Sequence, residues 1–291
     1  MGKGRSEPAV MGDGFRRRPA ARTGPPRKVP DMNEAASQQH GVSVEVRGLR
    51  KGYNGVEVLH GISLEVARGE VFVIMGPSGS GKSVLLKHII GLEIPDEGEI
   101  LIEGERIDVE ATAEKFRMAM VFQSGALLNS LNVADNVGLY LKEHRLKNPR
   151  EIEEIVREKL ELLGLKGVEA KLTNELSGGM KKRVAIARAL VIDPQLILYD
   201  EPTSELDPLM AVTIGQEILD LKERIQVTSI VVTHDRDLAF GVADRIAVMN
   251  EGNIVAIGTP EEVRRNSDAF VQTFLTVDFK PQPQESYAKY T

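Results

Sequence analysis

The sequence predicts an α/β fold, with a largely parallel sheet, antiparallel strands ahead of it and a helical insertion within it. Three observations predict this. The apolar run Val71-Phe72-Val73-Ile74-Met75 stops at a glycine-rich turn, and helical spacing then begins at Lys82 and Ser83, with Leu85, Leu86, Ile89 and Ile90 as its apolar positions. The runs Leu196–Tyr199 and Thr228–Thr233 are also mostly apolar, and they end in Asp200-Glu201 and His234-Asp235. Strands of this kind suit a parallel sheet covered on both faces, and their polar ends meet where such sheets bind ligands. Residues 132 to 190, by contrast, read as helical.

Composition bounds the possibilities. The 291 residues are 42% hydrophobic and 27% charged, enough for one large or two small domains. A formal net charge of -6 argues against nucleic acid as a partner. The absence of cysteine excludes a disulfide framework, a thiolate metal site and a cysteine nucleophile. No apolar run reaches the roughly 18 residues of a membrane span, and no apolar signal-peptide core follows Met1.

Residues 1–41 read as a disordered basic arm, rich in Gly, Pro, Ala and Arg. Lys3, Arg5, Arg16, Arg17, Arg18, Arg22, Arg27 and Lys28 outnumber Glu7, Asp13, Asp31 and Glu34 by four. Such an arm is either attracted to anionic lipid headgroups or a dispensable tail with Met11 or Met32 as alternative starts, the second being the stronger reading. Met1 to Ser6 also fits the short, loose N-myristoylation pattern.

Residues 42–275 carry the fold. Val42 to Arg47 alternates as a half-buried strand, and Val56 to Val66 follows after a turn at Gly52 to Gly55. Tyr53 lies in that turn, where its ring either stacks on a base or covers the sheet. Glu97 to Gly104 and Met118 to Gln123 come after the first helix, the latter a short buried strand ending in a glutamine. Asn148-Pro149-Arg150-Glu151 starts a helix, with Asn148 as N-cap and Glu151 as its reciprocal cap. Ser177 opens another helix, either as a plain N-cap or with the Gly178 and Gly179 amides facing an anion. Asp207-Pro208 starts a further helix. Arg245–Asn250 and Asn253–Gly258 form a hairpin about Glu251-Gly252, and Thr259-Pro260-Glu261-Glu262 is a capping box opening the final helix. Residues 276–291 are a C-terminal tail, polar from Asp278 onward, either loose or docking on a partner.

Gly76, Gly81, Lys82 and Ser83 match the phosphate-loop spacing G-x-x-x-x-G-K-[ST]. Glycines let successive backbone N–H groups turn inward as an anion nest. The next helix presents free N–H groups and the positive end of its dipole to phosphate. The candidate nucleotide-binding residues are therefore Gly76, Pro77, Ser78, Gly79, Ser80, Gly81, Lys82, Ser83 and Val84, with Lys82 reaching the β- and γ-phosphates and Ser83 binding Mg²⁺. Successive strand residues point to opposite sides. Asp200 can thus face the metal while Glu201 faces an attacking water, with His234 across the γ-phosphate from Glu201.

The order of these pieces resembles the nucleotide-binding subunits of ABC transporters. The resemblance covers about residues 42–275. It implies a P-loop (RecA-like) ATPase core with an antiparallel β subdomain and an inserted helical subdomain at about 124–190. It also implies that the chain binds and hydrolyses ATP with Mg²⁺. Gln123 matches the Q-loop glutamine, Leu176 to Met180 the signature motif, and Leu196 to Asp200 Walker B. Glu201 matches the catalytic glutamate, Ser204-Glu205-Leu206-Asp207 the D-loop, His234 the switch histidine and Tyr53 the adenine-stacking aromatic. Mg²⁺ is then held by Ser83, Gln123 and Asp200. Ser177, Gly178 and Gly179 of one subunit face the phosphate loop of another in a homodimer with two ATP.

Finer features resemble the ATPase of MCE-type lipid transport systems, the Mla group. These are Ser83-Val84-Leu85-Leu86, Phe122 to Leu128, Asn132 to Val137 and Ser177-Gly178-Gly179-Met180-Lys181. Most ABC relatives have glutamine at Met180 and serine or threonine at Val84, and Glu205 replaces the usual small D-loop residue. The implied partners are an integral membrane permease, an MCE-domain protein and a small regulatory subunit, at the cytoplasmic face of the inner membrane. The permease helix would dock near Gln123, Ala126, Leu127, Leu128 and Leu131. The rival expectations are an importer or exporter ATPase for another substrate, and a non-transport ABC ATPase acting on nucleic acid.

Overall fold

Alternating burial sets the first sheet. In a computed structural model that describes Met1, residues 40–107 and residues 115–276, Val44, Val46 and Leu49 of strand β1 (Val44–Tyr53) are buried while Glu45 and Arg47 are not. The basic arm and the polar tail fall outside the described residues, apart from a few positions at their inner edges. β1 pairs antiparallel with β2 (Val56–Val66) and β4 (Glu97–Ile102), and β5 (Glu105–Arg106) closes the edge, giving the order β2-β1-β4-β5. The strand runs further than its alternation predicts. Gly52 and Tyr53 pair with Glu57 and Val56, so the turn narrows to Asn54 and Gly55, both at positive φ. Two such residues make the tight connection that suits the twist of a hairpin.

The second sheet has six strands in the order β10-β9-β3-β8-β7-β6. β3 (Val71–Met75), β6 (Met118–Val121), β7 (Leu196–Asp200), β8 (Thr228–Thr233) and β9 (Arg245–Asn250) are parallel. β10 (Asn253–Gly258) returns antiparallel beside β9, as the hairpin about Glu251 and Gly252 predicts. All five residues of β3 are fully buried. Phe72 and Ile74 enter one core with Leu85, Leu86 and Ile89 of helix α1 (Lys82–Ile89) and Val44, Val46 and Leu59 of the first sheet. Val71, Val73 and Met75 enter the other core, made by the remaining helices. Each large side chain removed from water here contributes about 1.5–3 kcal/mol, so β3 is clamped from both faces at the point where it delivers the glycine turn.

The insertion contains α2 (Val133–Glu143), α3 (Pro149–Leu162) and α4 (Gly178–Leu190). Asn148 and Glu151 form the expected reciprocal cap. Residues 163–177 are not a continuous helix: they leave the helical path at Gly164 (φ 66°), and only a short 3-10 turn, Thr173–Glu175, forms before Ser177. A positive-φ glycine after the last helical residue stops a helix. α5 (Pro208–Ile225) is capped by Asp207, and α6 (Arg236–Val242) by Asp235. The Thr259 capping box opens a five-residue helix, α7 (Pro260–Arg264), and the last helix is α8 (Ala269–Thr276).

Candidate active site

The carboxyl ends of β3, β7 and β8 lie side by side, with Met75 opposite Thr233 and Asp200 opposite Val232. The phosphate loop leaves β3 there. A Cβ on Gly76 would lie 2.1 Å from the Met249 carbonyl oxygen, and one on Gly81 (φ 98°) would lie 2.9 Å from Leu59. Only glycine fits at either place. Lys82 is buried, and its ammonium folds back to donate to the carbonyls of Gly76 (2.9 Å) and Pro77 (2.8 Å). Burial lowers its pKa, while the charges of Glu201 and Asp200 oppose that lowering.

Ser83, the first residues of α1 and the end of β7 meet directly. The Ser83 hydroxyl donates to the Asp200 carboxylate at 2.8 Å. Burial raises the pKa of Asp200, the Ser83 bond lowers it, and the neighbouring Glu201 raises it again. Glu201 follows in a left-handed conformation (φ 49°), with its N–H donating to Val232 at 2.9 Å. Its carboxylate lies 2.9 Å from His234 Nδ1 and 3.3 Å from the Thr233 hydroxyl. A carboxylate only accepts, so the Nδ1 of His234 carries the proton in this contact.

His234 and Glu201, expected on opposite sides of the γ-phosphate, are in direct contact in this chain. The cause is register: β7 and β8 are adjacent and in step, so the residues just beyond them touch. Gln123 is exposed in the turn after β6, and its backbone carbonyl accepts from Lys182. None of the hydrogen bonds among the described residues joins its amide to Ser83 or Asp200.

Tyr53 ends β1 in the first sheet, about 39% exposed, with its hydroxyl on the Glu93 carboxylate and Lys51 Nζ 5.5 Å from its ring centre. Burial, followed by the Glu93 bond, pushes its pKa up to about 12. Ser177 caps α4 by accepting from the Met180 N–H at 3.3 Å. Ser177 and Gly178 are exposed, while Gly179 packs so closely on Met210 that a Cβ would meet its sulfur at 2.8 Å.

Three side chains that the motifs did not single out support this site. Lys182 donates to Glu201 and Ser204 as well as to Gln123. Arg188 donates to the carbonyls of Gly125 and Ala126, both at 2.7 Å. Asn136 is fully buried; its amide accepts from Leu128 N–H (2.7 Å) and donates to the carbonyls of Leu128, Leu131 and Asn132. Polar residues at apolar-face positions of α2 and α4 were the only sequence signal for them.

Known proteins agree with this architecture. The family model described as ABC transporter matches residues 59–204. A Mycobacterium leprae protein described as a probable ribonucleotide transport ATP-binding protein, mkl, is 42% identical over 240 residues, covering 81% of this chain and 69% of that protein. The sulfate/thiosulfate import ATP-binding protein CysA of Bacillus cereus is 41% identical over 238 residues, covering 80% and 66%. Among solved structures, the ATP-binding cassette MJ0796, described as dimeric, post-hydrolysis and bound to ADP and Pi, has a TM-score of 0.68 at 32% identity, covering 75% of this chain and 98% of that one. The chain belongs to the ABC transporter family. It is an ATP-binding subunit of that family and an ATPase, and no helix among its described residues is long and apolar enough to cross a membrane.

Proposed function

We propose that this ATPase powers lipid transport of the MCE or Mla type, as a homodimer docked peripherally on an integral membrane permease at the cytoplasmic face of the inner membrane. The observation that carries the catalytic part is the convergence of Lys82, Ser83, Asp200, Glu201 and His234 on one strand edge. Backbone amides from Gly76 to Val84 would cradle the phosphates of ATP, Lys82 would offset their charge, and Tyr53 would stack on adenine. Ser83 and Asp200 suit Mg²⁺: a hydroxyl and a carboxylate, with a second acid adding negative charge, are the hard oxygen donors that this ion takes beside phosphate. Gln123 is the third expected ligand. Bound there, Mg²⁺ would neutralise charge on the transferring phosphoryl group.

Glu201 would polarise the attacking water and draw its proton. His234, held on Glu201 through Nδ1, would turn Nε2 toward the γ-phosphate and donate to it when the ring is protonated. This is positioning and electrostatics, as phosphoryl transfer requires. The exposed Ser177-Gly178 turn with Gly179 would close over the ATP held by a second copy, giving a twofold dimer with two ATP. Hydrolysis would reopen it, and a permease that binds the two states differently would be driven. Its docking site would be the turn from Phe122 to Leu131, where Phe122 and Leu128 are exposed and Arg188 and Asn136 hold the backbone.

Support for lipid comes from Val84, Met180, Phe122 to Leu128 and Asn132 to Val137, which resemble the lipid-transport subgroup. An MCE-domain protein and a small regulatory subunit would complete the complex. A second reading, another transported substrate, is favoured by the relatives described for ribonucleotide and sulfate transport. Affinity purification from native membranes, with mass spectrometry of proteins and bound lipids, separates the two. Recovery of a permease, an MCE-domain protein and phospholipid supports lipid transport. Recovery of a permease with a solute-binding protein and no lipid discards it and leaves the ATPase mechanism standing.

A further inference from the structure

We propose that Lys182 is a positioning residue that ties the turn at Gln123 to the backbone of Glu201 and so sets the aim of the catalytic carboxylate. This rests on the reading of Glu201 as the group that polarises the attacking water.

Lys182 lies in the second turn of α4 and is only 6% exposed. Its ammonium donates to the Gln123 carbonyl, to the Glu201 carbonyl at 3.3 Å and to the Ser204 hydroxyl at 3.2 Å. These acceptors come from two segments, the turn after β6 and the loop between β7 and α5, which holds both Glu201 and Ser204. Ser204 closes the arrangement, donating to the same Glu201 carbonyl from its hydroxyl at 2.9 Å and from its N–H at 3.2 Å. The Glu201 carbonyl is therefore fixed from two sides while the residue holds a φ of 49°, a conformation uncommon for residues with a side chain.

All three acceptors are uncharged, so among the described residues no carboxylate at hydrogen-bond distance offsets the burial of the ammonium. Burying a charge in this way is costly, and an apolar side chain of similar length would avoid that cost. What an apolar side chain lacks is the ability to join the two segments. Burial lowers the pKa of Lys182, and the charges of Glu205, Glu201 and Asp200 oppose that lowering. Glu205, the D-loop departure from the family pattern, thus acts electrostatically on this lysine.

The test compares ATP turnover, KM for ATP and thermal unfolding of the full chain for wild type, K182M, K182R and K182Q. K182M is expected to lower kcat at least about tenfold with KM within about twofold of wild type, the pattern of an interaction that matters to the transition state. Its unfolding midpoint is expected to be equal or higher. K182R, which keeps charge and donors, is expected to recover most of the rate. The proposal is overturned if K182M keeps wild-type kcat, if kcat and affinity fall together, or if K182R is no better than K182M. Should K182M fail to fold, K182Q carries the same comparison, with lowered kcat at constant KM in favour and any other pattern against. E201Q is run alongside: if it retains turnover, the reading of Glu201 fails and takes the proposal with it.

Discussion

Glu217, on α5, holds its Oε2 buried with no hydrogen-bond partner among the described residues, and Arg183 approaches the other oxygen, Oε1, only at 3.8 Å. Burial raises its pKa from 4.5 to about 7, against the pull of Arg183. The sign of the consequence follows from linkage. Between pH 4.5 and 7 the folded chain keeps a proton that the unfolded chain has released, so stability falls as pH rises through that window, by about 3 kcal/mol at most. Glu217→Gln mimics the protonated form, so its stability relative to wild type should grow from pH 5 to pH 8 in urea unfolding. Parallel profiles would contradict this. Gly76 supports a sharper expectation. With the Met249 carbonyl 2.1 Å from any Cβ, Gly76→Ala should abolish nucleotide binding, read by titration with a fluorescent ATP analogue. Lys82, Ser83 and Asp200 were legible in the sequence because the phosphate loop and the ends of apolar strands encode their placement locally. Lys182 and Glu217 were not, because their partners lie on other segments and nothing in the residues nearby reports them.

The elements divide in the same way. β3, β7 and β8 could be read because strands covered on both faces are continuously apolar, and the Asn148 and Thr259 caps could be read because their reciprocal pairs are local. The extent of β1 was misjudged because its pairing through Tyr53 depends on the hairpin at Asn54 and Gly55 rather than on alternation. The insertion was read as one helical block because its apolar positions continue through residues 163–177, where Leu163, Leu165, Val168 and Leu176 are buried from a loop. The turn from Phe122 to Leu131 has little regular structure of its own; Lys182 and Arg188 hold its first half and Asn136 of α2 its second. Replacing the Asn136 side chain with an apolar one leaves the Leu128 N–H and the Leu131 carbonyl without partners, at about 1–3 kcal/mol each. Asn136→Leu should therefore lose at least about 2 kcal/mol in urea unfolding and expose this turn to protease. A variant as stable as wild type would mean that the turn is held by other contacts.

The described residues form two sheets around two cores, with β3 shared between the cores and one polar edge where β3, β7 and β8 end. The sequence order of the motifs carried the family, because each motif sits where a strand meets a loop. It did not carry the substrate, because relatives described for different substrates share this site. Ser177, Gly178 and Gly179 are not hydrogen-bonded to the phosphate loop of their own chain among the described residues, which agrees with a site completed by a second copy. In the proposed mechanism, catalysis at that site turns on Glu201. The measurement to make is ATP turnover and oligomeric state of Glu201→Gln with and without ATP and Mg²⁺. The expected result is a loss of turnover of at least about 100-fold, the size of a general-base contribution, together with an ATP-dependent shift from monomer to dimer. Turnover equal to wild type, with no ATP-dependent dimer, would contradict the assignment.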